Sequence, residues 1–246
     1  MPAATLLILA LALAASVADA QRMEAAPLVA PFSAAKPGTA LPSGWEVLTL
    51  GSTKTPTEFK FVDEAGTVVL KAHAEAAASG LNHRVKFDIQ NTPIIQFRWK
   101  IASLIEGADN RVASKEDSPV RIVLGFEGDK SKLTFGEKTK SFVAKSATGK
   151  ELPYAQLIYV WANKYPVGTV IANPHTKRVE MVVAVSGADE VGKWVTLSRN
   201  VIDDFKKAFG EEPGLMTDVG IMTDTDNTGA TVDAWYGDIR FLATPP

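Results

Sequence analysis

Cysteine is missing from all 246 residues. Its absence excludes disulfides, a thiolate nucleophile, zinc–thiolate sites and a lipid-modified N-terminal Cys. A basic excess is missing too: 26 Lys and Arg face 28 Asp and Glu, a net charge of -2. Nucleic acid and anionic bilayers are recognised by basic stripes or patches, so neither is an expected partner. Histidine numbers only three. His73 and His83, without a third ligand, make a poor metal site, and His175 in Asn173-Pro174-His175-Thr176 reads as a turn residue. No nucleophile elbow, phosphate-binding glycine loop or zinc-protease motif occurs. Beyond residue 20 there is no run of about 18 apolar residues, the length a spanning helix needs.

The first twenty residues carry a different signal. Leu6 to Ala18 is an almost unbroken apolar run that ends in Ala18-Asp19-Ala20. Small residues at the outer positions of that triplet fit a signal-peptidase cut before Gln21. No Lys or Arg precedes the run, so the export reading rests on the run and the cut site. The expected fate is the periplasm or secretion, with no integral membrane segment left after cleavage. Residues 21–44, with Pro27, Pro31, Pro37 and Pro42, read as an Ala/Pro-rich tether. Residues 45–243 read as one domain, because neither a repeat nor a second composition regime interrupts them. A chain of this size buries roughly 70% of its unfolded surface, enough to dispense with disulfides.

Within that domain the hydrophobic period is two. Leu81, His83, Val85, Phe87 and Ile89 alternate with polar residues, as do Ile95, Phe97, Trp99 and Ile101. Val120, Ile122, Leu124 and Phe126 repeat the pattern with Arg121 on the opposite face. Strands with one buried and one wet face require this alternation. Further strands are expected at 45–50, 58–62, 67–74, 131–135, 156–162, 167–172, 178–185, 193–198, 217–223 and 231–242. One helix is expected near 200–209: Val201, Ile202, Phe205, Ala208 and Phe209 share a stripe, Asn200 precedes as N-cap and Gly210 follows as a stop. The expectation is an all-β, two-sheet antiparallel β-sandwich, jelly-roll-like, with that one short helix.

Four groups could carry chemistry. Asp224, Asp226, Thr228 and Gly229 fall at the first, third, fifth and sixth positions of a calcium-loop spacing. The twelfth position is Trp235 rather than Glu, and the flanks are strands, so a helix-flanked calcium hand is excluded. Asp224, Asp226, Asn227 and Asp238 are the metal candidates, with a structural Ca2+ in mind. The competing reading is a turn whose Asp and Asn side chains bond its own backbone. Asp109, Arg111, Lys115-Glu116-Asp117 and Arg121 form a charged cluster around a long polar loop, able to orient a hydroxylated ligand through paired donors. Trp161 and Trp235-Tyr236 supply aromatic faces for a sugar ring or cation, and the adjacent pair must point to opposite sides of the strand. Arg199, ahead of the expected helix, follows a strand beginning at Trp194 and could reach the same groove. Asp117, Arg121, Trp161 and Arg199 are the ligand-groove candidates.

Four blocks carry a resemblance. They are Arg111 with Lys115-Glu116-Asp117-Ser118-Pro119-Val120-Arg121; Tyr159-Val160-Trp161-Ala162-Asn163 with Gly168 and Asn173-Pro174; Ser186-Gly187, Trp194, Arg199-Asn200-Val201 and Phe209-Gly210; and the run from Met222 to Gly229 with Trp235-Tyr236-Gly237-Asp238-Ile239. Over roughly residues 40–243 the chain resembles the bacterial exported proteins grouped as domain-of-unknown-function family 3047. The resemblance implies a secreted or periplasmic β-rich domain and supplies no catalytic residue. Tyr236-Gly237-Asp238-Ile239 also resembles the closing strand of carbohydrate-binding jelly rolls, many of which hold a structural calcium.

The reading that follows is a monomeric, non-catalytic module binding a glycan or similar polar small ligand. Two alternatives stand beside it: a polysaccharide-active hydrolase or lyase using Glu116 or Asp117 with Asp224, and an envelope protein-interaction domain.

Overall fold

The computed structural model describes residues 28–49, 53–148, 151–174 and 176–246. The expected signal peptide, residues 21–27 of the tether and His175 lie outside the described residues. In chain order the elements are β1 (Leu28–Ala30), β2 (Trp45–Thr49), β3 (Glu58–Glu64), β4 (Thr67–Glu75), β5 (Ala78–Phe87), β6 (Ile94–Ile101), β7 (Ser118–Phe126), α1 (Phe135–Thr148), β8 (Ala155–Ala162), β9 (Val170–Ala172), β10 (Val179–Ser186), β11 (Val195–Asn200), α2 (Val201–Phe209), β12 (Met216–Asp224) and β13 (Thr231–Leu242). They form two sheets. One runs β11-β6-β13-β4-β3, with β1 joined to β13; the other runs β2-β5-β12-β7-β8-β10-β9. Pairing is antiparallel except between β8 and β10, which run parallel with Val179 opposite Gln156.

Alternation sets the core. In β6, Ile95, Phe97, Trp99 and Ile101 are at most 1% exposed, whereas Gln96, Arg98 and Lys100 are half-buried on the outer face. Phe97 packs against Trp99 at 4.9 Å and against Tyr159 of the facing sheet at 5.7 Å between ring centroids. The expected helix forms with its expected cap: the Asn200 side chain accepts from the N–H groups of Ile202 and Asp203. Gly210 ends it at φ 71°, a left-handed conformation that costs glycine nothing. Phe205 from α2 meets Phe126 at 4.8 Å and plugs one end of the sandwich.

Two expectations need correction. The segment 131–135 is no strand: a 3-10 turn spans Lys130–Lys132 and α1 starts at Phe135. Its cause is a capping box, with Glu137 accepting from the Thr134 backbone and hydroxyl at 2.7 Å and Thr134 Oγ1 accepting from Glu137 N–H at 3.3 Å. The tether also ends sooner than expected. Leu28 pairs with Arg240 and Ala30 with Ile239, and Phe32 is fully buried against Trp45 and Phe61 at 5.2 and 5.8 Å. Pro27 and Pro31 flank this piece, but Val29, Ala30 and Phe32 are apolar enough to be drawn into the sandwich.

The seven-stranded sheet departs from simple alternation. Strand β7 is buried on both faces over most of its length, and Ile158, Val160, Met181 and Val183 make a second apolar cluster on the outer side. Tyr165, in the connection after β8, packs onto that cluster. Its hydroxyl donates to Asp109 at 2.5 Å, and Lys164 pairs with the same carboxylate at 2.8 Å. Hydrogen bonds from Lys164 and Tyr165 hold the Asp109 carboxyl down at about 2. Asn163 Nδ2 also donates to the Ile105 and Ala108 carbonyls. Loop 106–118 is thereby stapled to the loop after β8.

Candidate functional site

The antiparallel register places Asp224, at the end of β12, opposite Ser118, at the start of β7, and Met222 opposite Arg121. The acidic loop after β12 therefore meets Glu116-Asp117, just before β7. Asp117, Asp224 and Asp226 each bring an oxygen within 4.8 Å of the others. Asp117 accepts four hydrogen bonds, from the backbone and side-chain nitrogens of Asn227 at 3.2 and 3.0 Å and from the N–H and hydroxyl of Thr228 at 2.7 and 2.6 Å. Gly229, at φ 70°, closes the turn by donating to the Thr225 carbonyl at 2.9 Å. This is a turn clamped by one carboxylate from the loop just before β7.

Arg121 sits beneath the loop, 3% exposed. Its Nε and Nη2 donate to the two Asp224 oxygens at 3.1 and 3.0 Å, and Nη2 also to the Glu116 carbonyl at 2.8 Å. Nη1 donates to Glu116 Oε1 at 2.6 Å and approaches the Met181 sulfur at 3.9 Å. The five N–H groups of a guanidinium are thus all directed at acceptors within the protein. Burial opposes the Arg121 charge, but Asp224 and Glu116 outweigh it and raise the arginine's pKa. Asp224 also accepts from Ser118 N–H at 3.0 Å. Burial, the largest influence, pushes the Asp224 carboxyl up to about 7; Arg121 pulls it down, while Glu116 and Asp117 add to the rise.

Above this floor lies a groove of about 290 Å³, lined by Lys54, Gln156, Asn173, Thr176, Asp226 and Asn227 among others. Lys54 forms an ion pair with Asp226 at its mouth. Hydrogen bonding to Asp226 raises the Lys54 pKa, so the ammonium stays charged. Lys54 and Arg121 are the positive charges set against the acids here. Calcium takes six to eight oxygen ligands, yet Asp117 and Asp224 already spend their acceptor sites on N–H and O–H donors.

Of the residues nominated from the sequence, Asp117, Arg121, Asp224, Asp226 and Asn227 are brought together. Arg121 and Asp117 hold the scaffold, with their bonding capacity used inside the protein. Trp161 belongs to the core instead: it is 1% exposed, and its indole N–H donates to the Gly187 carbonyl at 2.9 Å. Position in β8 decides this, since Trp161 shares the inward side with Leu157 and Tyr159. Arg199 lies in the other sheet, where Asp204 of α2 takes its Nε at 2.9 Å and its Nη2 at 2.5 Å, with Tyr159 Oη on the same carboxylate. Asp238 is remote as well. It falls in an irregularity of β13 between Tyr236 and Ile239 and accepts from Ser33 N–H and Oγ at 2.8 and 2.6 Å, anchoring the chain after β1.

The adjacent aromatics split as strand geometry demands: Tyr236 is fully buried, its hydroxyl bonding Met222 O and Thr223, and Trp235 faces out. Lys100 lies 4.2 Å from the Trp235 ring and 5.6 Å from Trp194, with Lys71 on Trp235's other flank at 5.3 Å. Cations thus occupy the indole faces on the six-stranded sheet. The sequence reading missed Lys54, Gln156 and Thr176 as groove residues. Each stands alone in its segment, and only the pairing of distant strands assembles them.

The family described as "Protein of unknown function (DUF3047)" matches residues 43–240. The chain belongs to this family. No curated protein matches the sequence. Among solved structures, the chain is similar to the family 11 carbohydrate-binding module of the cellulosomal cellulase Lic26A-Cel5E of Clostridium thermocellum, at 8% identity and TM-score 0.46, covering 89% of this chain and 95% of that one. It is similar also to the xyloglucanase domain of NopAA, a type three effector from Sinorhizobium fredii, at 8% identity and TM-score 0.45, covering 85% and 98%. The family 30 carbohydrate-binding module of the Clostridium thermocellum cellulase Cel9D-Cel44B aligns at 12% identity and TM-score 0.36, covering 89% and 94%.

Proposed function

We propose that this domain binds a neutral, polyhydroxylated ligand, a glycan, in the groove of the seven-stranded sheet and performs no chemistry on it. The observation that carries this reading is the groove's division of labour. Its ionic floor is satisfied internally, while amide, hydroxyl and ion-paired side chains line the open part: Gln156, Thr176, Asn227 and the Lys54–Asp226 pair. Vicinal hydroxyls donate and accept together, which is what such a lining asks for. Four acids (Glu116, Asp117, Asp224, Asp226) against two cations disfavour an anionic ligand by like-charge repulsion.

Geometry also speaks against catalysis by the nominated carboxylates. A glycosidase needs one carboxyl able to give a proton and another free to attack or to activate water. Glu116 is bound to Arg121 Nη1 at 2.6 Å, Asp117 accepts four bonds and Asp224 three, two of them from Arg121.

The test is a glycan array probed with wild type and with the Lys54→Ala/Asp226→Ala double variant, which removes one charge of each sign at the groove mouth. Binding by wild type that falls at least tenfold in the variant, with an unchanged melting temperature, is the expected result. An array with no wild-type signal overturns the reading, and reducing-sugar release from the bound glycan overturns its non-catalytic part.

The same reading makes the acidic loop self-sufficient, held by Asp117 and by the charges of Arg121 and Lys54 instead of calcium. Melting temperatures with EDTA and with millimolar calcium should coincide; a calcium-dependent rise contradicts this. Export, carried by the apolar run from Leu6 to Ala18 and the Ala-Asp-Ala triplet, is part of the proposal. The mature N-terminus should then be Gln21.

A further inference from the structure

The polar groove does not end at Gln156. A second cavity of about 290 Å³ continues from it and shares three wall residues: Gln156, Thr176 and Val179. Gln156 and Val179 face each other across the parallel β8–β10 pair, so the two hollows are successive stretches of one trough along the outer face. Its character changes along the way. The first stretch is set with charges and amides; the second is walled by Leu133, Leu152, Pro153, Tyr154 and Val179 and roofed by α1 through Glu137 and Ser141. At the far end Arg178 lies on the Tyr154 ring at 3.8 Å and pairs with Glu211 at 3.1 Å, which closes that end with a satisfied charge.

A second observation concerns α1. With about 100° of turn per residue, Phe135 and Phe142 sit together on the side away from Glu137 and Ser141. They are 88% and 71% exposed. Glu137 and Ser141 thus give the cavity a polar rim along α1, while the two phenylalanines face solvent on the opposite side of the helix.

Building on the glycan reading, we propose that the ligand is an amphiphile: a polyhydroxylated head held between Asp226 and Gln156, with an alkyl or acyl chain running past Val179 into the cavity under α1. The polarity gradient of the trough matches that of such a molecule end to end. A purely polar oligosaccharide would leave the Leu133–Leu152–Val179 stretch in contact with hydroxyls, gaining little from burial there.

Titration calorimetry, kept below micelle-forming concentrations, provides the test. The probes are methyl, hexyl and octyl β-glucosides, the matching β-galactosides, and 1-octanol as a chain without a head. Affinity should rise by about fourfold for each methylene buried, and octanol should bind far more weakly than the octyl glycoside of the preferred sugar. Leu152→Glu, at a half-exposed position that tolerates the change, should erase the advantage of octyl over methyl glycoside. Equal affinities for methyl, hexyl and octyl glycosides would sink the amphiphile and leave the glycan reading standing. Octanol binding as tightly as octyl glycosides would sink both, because the head would then contribute nothing.

Discussion

Replacing Arg121 by alanine strands two carboxylates. Glu116 and Asp224 have side chains 8% and 5% exposed, and the guanidinium between them is 3% exposed. Removing one partner of a buried ion pair costs about 3–5 kcal/mol, because the remaining charge is left without compensation in a poorly solvated place. In a domain of this size each kcal/mol moves the melting point by about 2–4 °C. Arg121→Ala should therefore melt about 6–20 °C lower than wild type by calorimetry at pH 8. The pH matters: the Asp224 carboxyl, lifted to about 7 with Arg121 beside it, rises further once the arginine is gone, so the stranded acid escapes as its neutral form the more readily the lower the pH, and the loss should shrink at pH 5. The combination Arg121→Met, Glu116→Gln, Asp224→Asn removes all three charges together and should recover most of the loss, since no buried charge is then left without a partner. A loss below about 1 kcal/mol for Arg121→Ala, in the range of surface pairs, would refute the claim that this arginine is the buried counter-charge of the loop.

Other perturbations have equally definite outcomes. Asp117→Asn puts an NH2 group where Asn227 and Thr228 offer donors, and should raise the hydrogen-exchange rate of the Thr228 amide by an amount equivalent to about 2 kcal/mol of local opening; unchanged protection would contradict the clamp. The Asp224 carboxyl carbon should titrate near pH 7 by NMR. Because its folded pKa lies above the unfolded value of 3.8, its stabilising contribution is complete below about pH 4 and lost as pH rises through about 7. Asp224→Asn should flatten that part of the stability–pH curve, and a carboxyl signal constant from pH 5 to 8 would refute the shift. Phe205→Ala empties the plug between α2 and Phe126 and should cost about 3–5 kcal/mol in urea unfolding; a cost under 1 kcal/mol would place the α2 contact outside the core.

The architecture was legible because most strands keep a strict two-residue alternation. Ile95, Phe97, Trp99 and Ile101 could face only one layer, and Asn200 with Gly210 could bound only one helix. The departures have other causes. Residues 131–135 read as a strand, yet Thr134 and Glu137 form a capping box that starts a helix, a signal the sequence itself carries. Aromatic chemistry offers Trp161 to a ligand, while its place in the alternation of β8 points it inward. Arg121 was correctly put on the opposite face from Val120 and Ile122, but that face is roofed by loops from elsewhere in the chain. Whether a polar strand face is wet or covered depends on contacts between distant segments, and no local pattern records them. The same limit hid Lys54, Gln156 and Thr176, which meet only through the order of strands in the sheet.

One experiment bears on the central claim more directly than the rest. Amide and indole chemical shifts of the labelled domain, followed by NMR while the glycan selected on the array is added, show which face of the sandwich it occupies. Shifts concentrated at Lys54, Gln156, Thr176 and Asn227 are predicted, with the Trp194 and Trp235 indoles unmoved. Shifts confined to those two indoles, with the trough silent, would place recognition on the six-stranded sheet and contradict the account.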